Sequence, residues 1–437
     1  MSDSTTPLDH FIHLAIFGGI AAGLISGVFV TDFHPMAAFI QKHAWAASIV
    51  IPSVIWLVLG LALLTMRTVL WLIYRPFKPA SAEEAPFLTV VIPAYNEGEL
   101  VRRSILSSAR AEYPRDKLEI IVVDDGSRDD TWEHIQAAAN EHPELVRTIR
   151  FEQNRGKRAA LAAGFRQARG EVVVTIDSDS IIEPQSLAAI AGPFRDPRVG
   201  AVAGKVSVLN RFESLLPRML HVRYVLSFDF LRSTQSCYGA VYCCPGAFSA
   251  YRMSLVRRVL PAWLDQRFLG VLCNTGEDRA LTNDILALGY RSVYQRTAVV
   301  QTLAPNTYMK LCRMYLRWNR SYVREEIRLL TSVCWRMKPT ALLMTLIDRT
   351  ITNLRFPVGY FSLVLLAMLI FDDPWSLVHS LAVIGGVALF YMLYYLKSER
   401  SWEFRYGILY AYFSAFTLSW IFPYALMTLR NRSWMTR

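Results

Sequence analysis

Residues 171–180 read EVVVTIDSDS. The run Val172 to Ile176 is apolar or β-branched and goes straight into two aspartates, Asp177 and Asp179. An uninterrupted run of this kind, ended by polar turn residues, predicts a buried strand of a sheet covered on both faces. Ligands of open α/β sheets bind at the carboxyl ends of such strands. With Ser178 between them, both carboxylates can reach the mouth of one cleft. Paired hard oxygens suit Mg²⁺ or Mn²⁺. A solvated strand-end turn has the same spelling, so D-x-D alone leaves both readings open.

The flanking sequence repeats the pattern. FLTVVIPAYN (87–96), LEIIVVDDGS (118–127) and VRTIRFEQN (146–154) read as strands, each leading into a helical stretch. Those stretches are 97–114, 128–142 and 157–170. Alternation of this kind predicts a doubly wound parallel sheet with helices on both faces. Its polar turns fall at Asn96, Asp124–Asp125, Asn154–Lys157 and Asp177–Asp179. Asp124 and Asp125 can accept from the imide N–H of uracil, or close an Asx turn with Gly126. Gly156 permits close backbone approach, and Lys157 and Arg158 open a helix. A cation at a helix N-terminus is mildly unfavourable by itself. With a diphosphate bound there, the same arrangement becomes a site.

Of the 437 residues 53% are hydrophobic, above the usual 45–50% or so of soluble domains. The excess lies in the first 75 residues and the last hundred. Segments 11–30 and 45–74 each reach the roughly 20 residues needed to cross a bilayer. Three more follow at 351–371, 375–396 and 405–428. The N-terminus lacks the positive charge of a secretory signal, so 11–30 reads as a retained helix. The net charge is +11. Neither a basic low-complexity tail nor zinc-finger spacing points to nucleic acid. Arg67, Arg75 and Lys78, and Arg317, Arg320, Arg324 and Arg328, flank the apolar segments, as on a cytoplasmic membrane face. This places the middle domain in the cytoplasm. The charged loop 397–405 then leaves the C-terminus outside, whereas the basic RNRSWMTR (430–437) favours inside. A break at Pro423 would reconcile them. Six cysteines without a CxxC pair read as reduced thiols.

Residues 306–330 give an apolar face, Met309, Leu311, Tyr315, Leu316, Tyr322, Val323 and Ile327, among arginines. The pattern predicts an amphipathic helix in the membrane interface, with Tyr315 and Tyr322 as anchors. Just before it, CNTGEDRALTN (273–283) sets Glu277 beside Asp278, with Arg279 after them. Adjacent acids at a helix start are either a charged cap or a general base, and the helix dipole and Arg279 favour their ionised forms. Pro245–Gly246 in YGAVYCCPGAFSAYR (238–252) marks a turn.

Together VVIPAYNE, VVDDGS, NRGKRAAL, DSDS, GEDRALTN and RMYLRW, in this order, resemble the processive family 2 glycosyltransferases of GT-A fold. The resemblance covers residues 87–330 motif by motif. Residues 238–252 and 276–290 are most similar to hyaluronan synthases and nodulation-type chitooligosaccharide synthases. The resemblance implies 1–80 as two N-terminal transmembrane helices, 85–304 as a cytoplasmic GT-A domain, 305–350 as interface helices and 351–437 as about three further spans. It implies a metal-dependent hexosyltransferase of the plasma (inner) membrane, inverting and processive. Its donor would be UDP-N-acetylglucosamine and its product a chitin-like chain, made against a growing acceptor and exported. Tyr95, Glu97, Asp124, Asp125, Lys157, Asp177 and Arg317 would bind the donor, and Asp177 and Asp179 the Mg²⁺ or Mn²⁺. Asp278 would be the base with Glu277 beside it. Trp318, Cys244, Pro245 and Gly246 would meet the acceptor. The family's motif glutamine is replaced by Met314. Hyaluronan synthesis with a second donor, UDP-glucuronic acid, and transfer to a lipid phosphate remain alternatives. So does a non-catalytic scaffold, though it would not need these acids together.

Overall fold

Residues 88–176 supply four strands, β1 (Leu88–Ala94), β2 (Leu118–Asp124), β3 (Val146–Arg150) and β4 (Val172–Ile176). β1, β2 and β4 are buried along their whole length, as their unbroken apolar runs require. All four run parallel, in the order β3-β2-β1-β4. Ala94 pairs with Asp124, and Asp124 with Arg150, so their carboxyl ends share one edge. The helix Lys157–Gln167 packs over β1 at Gly164, where a Cβ would meet Val91 Cγ1 at 2.4 Å.

Beyond β4 the sheet is mixed, which corrects the expectation of a wholly parallel one. β5 (Ser180–Ile182), β6 (Val199–Val208), β7 (Phe248–Arg252) and, after the small hairpin β8 (Arg267–Phe268) and β9 (Val271–Leu272), β10 (Arg291–Thr302) complete it. The full order is β3-β2-β1-β4-β7-β6-β10-β5. β7 is antiparallel to both β4 and β6, and β5 is antiparallel to β10. The chain enters β7 through the Pro245–Gly246 turn, closed by Phe248 N–H donating to Pro245 O at 3.1 Å. Because Phe248 pairs with Ile176, β7 starts where β4 ends, and the turn lands beside Asp177.

The computed structural model describes residues 7–29, 41, 45 and 47–431, in two units. The sheet belongs to the unit Tyr74–Leu342, which resumes at Leu418. In it the helix Tyr308–Arg328 buries Leu311, Tyr315, Leu316 and Val323, but also Arg320, Arg324, Glu325 and Glu326. Met309 and Ile327 of the expected apolar face are exposed. The helix is thus packed on protein along its charged side as well. Three of its arginines, expected at a membrane face, donate to protein groups. Arg324 reaches Thr275 O at 2.7 Å, Arg320 reaches Thr428 Oγ1 at 2.8 Å, and Arg328 pairs with Asp284.

The other unit joins residues up to Ile73 with Leu343–Thr417. Among the described residues three helices are long and apolar enough to cross a membrane, Val50–Ile73, Pro339–Phe371 and Trp375–Glu399. Phe404–Thr417 and Ile421–Met427 are bent by 47°. The break falls at 418–420, ahead of Pro423, which sits in a first helical turn where its missing N–H costs no bond. The helix Pro7–Phe29 buries Ile12, Ile16 and Ile20 on one face. Its Asp9 lies 2.7 Å from Lys397 and 3.1 Å from Arg400. The helix expected over 351–371 begins twelve residues earlier, at Pro339, and so takes in Asp348. Arg67 Nε donates to Asp348 Oδ1 at 2.8 Å, which accounts for the one cation interrupting the 45–74 segment. Most of the 32–43 loop and residues 432–437 lie outside the described residues.

The Arg67–Asp348 pair predicts a stability test. Arg67→Met removes the nearer cation from the buried Asp348 carboxylate, leaving Arg349 at 3.7 Å, and should cost up to about 3–5 kcal/mol, whereas Arg67→Met with Asp348→Leu should restore most of it. Thermal unfolding of the detergent-solubilised chain measures both.

Candidate active site

The loops leaving the carboxyl edge are tied to one another. After β1, Asn96 accepts at Oδ1 from Arg128 N–H (2.9 Å), and its own N–H donates to Ser127 Oγ (3.0 Å). The N–H groups of Glu97 and Gly98 both donate to Thr131 Oγ1, at 2.7 and 2.8 Å. After β2, Asp124 is fully buried and accepts from Ser127 N–H at 3.0 Å, the expected turn closure. Asp125 accepts from Asn154 Nδ2, Arg155 N–H and Gly156 N–H, at 3.0, 2.7 and 2.8 Å. Desolvation pushes Asp125 above the usual carboxylate range, though these donors oppose it. Asp125 thereby fixes the turn that delivers Lys157. Tyr95 lies on the same edge, half-buried.

Lys157 is the centre. Its ammonium contacts Asp177 Oδ1 and lies 3.3 Å from Glu277 Oε1. Burial works against the charge, but Asp177 and Glu277 outweigh it and hold the lysine protonated. Gly246 packs against this group: a Cβ there would lie 2.9 Å from Lys157 Nζ. Lys157, Gly246, Glu277 and Asp278 line one small pocket with Tyr251, Trp263 and Leu281. Arg158, expected beside Lys157 as a second phosphate cation, is instead buried and stacked 4.9 Å over Trp263, donating to Trp263 O and Gln266 Oε1.

Gly276, at φ 81°, starts the helix Glu277–Ala287, and a Cβ on it would collide with Ser321 Cβ at 2.5 Å. The two acids diverge electrostatically. Burial raises Glu277, but Lys157, the local backbone and Arg317 outweigh it and hold Glu277 below its ordinary value. Burial and the Glu277 charge push Asp278 above its ordinary value, against Arg279 and Lys157. This corrects the expectation that the helix start and Arg279 would favour the ionised form of both. A carboxyl shifted toward the working pH is better suited to accept a proton.

Asp179 accepts from Thr302 Oγ1 (3.1 Å) and Ser180 Oγ (3.2 Å). Desolvation and the charge of Asp177 push it above the carboxylate range. Two acids that repel in this way, with hydroxyl donors around them, fit a hard divalent cation. Among the described residues no three His, Cys, Asp or Glu side chains cluster as a metal centre, so further ligands would come from elsewhere.

Arg317 acts on Glu277, and Trp318 lies 5.6 Å from Tyr315 and 6.4 Å from Tyr224, ring centre to ring centre. Tyr315 is buried, with Arg223 over its ring at 5.3 Å, and Tyr322 carries Arg279 at 5.4 Å. Of the two tyrosines expected as membrane anchors, Tyr315 is buried and Tyr322 half-buried. Met314 is buried. Cys244 N–H donates to Thr282 Oγ1 at 3.1 Å, which pins the turn before Pro245.

Sequence reasoning missed Trp263 and Gln266. Trp263 Nε1–H donates to Glu277 O at 3.0 Å. Gln266 joins Arg158 to Glu325, which also accepts from Asn283 Nδ2 at 2.9 Å. With their partners Arg158, Glu277, Asn283 and Glu325 they join four separate segments, and no motif spacing marks them.

The mixed sheet with its covering helices is that of a GT-A-like fold. Residues 89–260 match the description "Glycosyl transferase family 2". An N-acetylglucosaminyltransferase of Azorhizobium caulinodans is 30% identical over 80% of this chain and 87% of its own. A hyaluronan synthase of Streptococcus pyogenes is 32% identical over 86% of this chain and 88% of its own. A mannosyltransferase of Pyrobaculum calidifontis, solved with GDP-Man and Mn²⁺, shares the fold at a TM-score of 0.59 and 23% identity, over 84% of this chain and 99% of that one. The chain belongs to glycosyltransferase family 2, and to its processive branch.

Gly126 tests the loop assembly. It has φ 73°, and a Cβ would lie 2.5 Å from the Gln153 carbonyl carbon. Gly126→Ala should cost about 1–3 kcal/mol by strain alone, and should weaken nucleotide binding because the Asp125–Gly156 bonds shift with it. A melting curve with and without UDP reads both.

Proposed function

We propose that the chain is an inverting, processive N-acetylglucosaminyltransferase that polymerises sugar from UDP-N-acetylglucosamine into a chitin-like chain. We place it in the plasma (inner) membrane as a multi-pass protein with a cytoplasmic catalytic domain, exporting its product. The observation that carries the reading is the pocket shared by Lys157, Gly246, Glu277 and Asp278. It sets a cation for a leaving diphosphate beside a carboxyl suited to take a proton. The similarity to the N-acetylglucosaminyltransferase supports the choice of sugar.

In this reading the acceptor hydroxyl attacks the anomeric carbon from the face opposite UDP, and Asp278 takes its proton. The C–O bond to the diphosphate breaks with inversion, and the electron pair leaves on the phosphate. Lys157 and Arg317 stabilise that charge. Glu277 keeps Lys157 charged and oriented. Asp177 and Asp179 would hold Mg²⁺ or Mn²⁺, which when bound neutralises the diphosphate. Asp124 and Asp125 serve the uridine end, with Tyr95 and Glu97 on the same edge. Trp318 offers its ring to an acceptor sugar, and Cys244, Pro245 and Gly246 form the wall across from it. The apolar helices provide the path through the bilayer.

The decisive experiment is thin-layer separation of products from radiolabelled UDP-sugars. UDP-N-acetylglucosamine alone should give chitinase-sensitive polymer. Polymer only when UDP-glucuronic acid is added, and cut by hyaluronidase, would instead make the chain a hyaluronan synthase, the second reading that the 32% identical relative supports. Lipid-linked monosaccharide, or no product, would remove both.

Two further outcomes follow from the site. Asp278→Asn should keep UDP affinity and lower turnover by at least about 10²-fold, the low end for lost general-base work. Since Asp278 is raised, the acid limb of the wild-type kcat profile should lie above the ordinary aspartate value of about 3.9, turnover falling as pH drops through it. Excess chelator should abolish turnover, with Mg²⁺ or Mn²⁺ restoring it, and Asp179→Asn should lose activity while still extracting as a folded protein.

A further inference from the structure

The Cys243–Cys244 turn is attached twice to the start of the Glu277–Ala287 helix. The Cys243 thiol donates to Asp278 Oδ2 at 3.5 Å. One residue on, Cys244 N–H donates to Thr282 Oγ1 at 3.1 Å, and the same hydroxyl donates to Asp278 O at 2.7 Å. The turn is braced from behind by Arg232, which ends the π-helical segment Leu226–Arg232. Its Nε–H donates to Cys243 O at 3.3 Å while its guanidinium lies 3.8 Å over the Phe228 ring. The thiol therefore has a fixed carbonyl on one side and a carboxylate on the other.

The charged and titratable groups around Asp278 are few. Glu277 and Arg279 are on its own helix, Lys157 comes from the helix Lys157–Gln167, and Cys243 and Cys244 come from the turn. Tyr251 lies on β7, within electrostatic reach. From Tyr308–Arg328, Tyr322 and Glu326 act on Arg279. The other carboxylate oxygen, Oδ1, accepts from Arg279 N–H at 2.8 Å. Cys243 is the side chain that donates to Oδ2. Burial pushes its thiol up to about 12, so it stays protonated at working pH, a donor and not a nucleophile.

We propose that Cys243 is a positioning residue for catalysis: its thiol holds the Asp278 carboxylate in one rotamer and favours its ionised form, so that the remaining lone pairs meet the acceptor hydroxyl. This rests on Asp278 as the base. A donor to the charged form stabilises it, so losing the thiol should move protonation of Asp278 to higher pH.

The test uses the full-length detergent-solubilised chain and UDP release from UDP-N-acetylglucosamine across pH. Cys243→Ala should leave KM for the donor within about twofold, lower kcat by about 3–10-fold and move the acid limb up by about half a pH unit, the scale of one modest hydrogen bond. Cys243→Val, closer in volume, should do the same, and Cys243→Ser should restore most of kcat and return the limb. Adding Cys243→Ala to Asp278→Asn should cause no further loss, because the thiol acts through that carboxylate. An unmoved acid limb in folded, UDP-binding Ala or Val variants overturns the proposal, as does a full additional loss in the double variant. If neither apolar variant binds UDP, Cys243→Ser decides: its stronger donor should leave the limb in place or lower it, and an upward shift overturns the proposal. Near-normal turnover by Asp278→Asn would instead remove the assignment of the base itself.

Discussion

A largely buried ammonium needs compensating carboxylates, because a charge shielded from water is costly to leave unpaired. Lys157 meets that constraint with Asp177 from the end of β4 and Glu277 from the start of a helix a hundred residues later. Three segments far apart in sequence are held to one point by this single cation. The two carboxylates keep the lysine charged, and the lysine in turn holds Glu277 below its ordinary value. The asymmetry between Glu277 and Asp278 follows. The residue nearer the lysine is held low and its neighbour is pushed up, so adjacent carboxyls acquire different chemistry.

The backbone that makes this meeting possible depends on a reversal. β7 runs against β4 and begins at the ligand edge, so the Pro245–Gly246 turn arrives beside Asp177 with no side chain to displace Lys157. The same turn reaches the Glu277–Ala287 helix through Cys243 and Cys244. The helix carrying Arg317 and Trp318 closes the other side, crowding Ser321 against Gly276. Its arginines satisfy buried carbonyls and carboxylates, and so bind that helix to the catalytic unit.

Much of this was legible from residues alone. The strands β1, β2 and β4 were evident as apolar runs, and the strand-end acids pointed to the ligand edge because side-chain burial dictates both. The helix start at Gly276 followed from its position before two acids. Less legible were the arginines of 306–330. A cation next to an apolar stripe looks the same in sequence whether it faces phosphate headgroups or a buried carboxylate. Only the partners Thr275, Asp284 and Thr428 distinguish the two. Tyr315 was ambiguous for the same reason, since a half-polar ring suits an interface and an interior alike. Arg158 was read with Lys157 because they are adjacent, yet successive helical positions point about 100° apart, and one faces the cleft while the other faces Trp263.

The sequence by itself determined the class of fold, the family and the list of acids and cations from which a site is built, because local periodicity and motif order are one-dimensional properties. The tertiary structure decided the antiparallel turn of β7, the convergence of Asp177, Lys157 and Glu277, the inequality of Glu277 and Asp278, and the contact of Cys243 with the latter. Each of these is set by distances between segments and by the dielectric around them, and neither quantity is written in the order of residues.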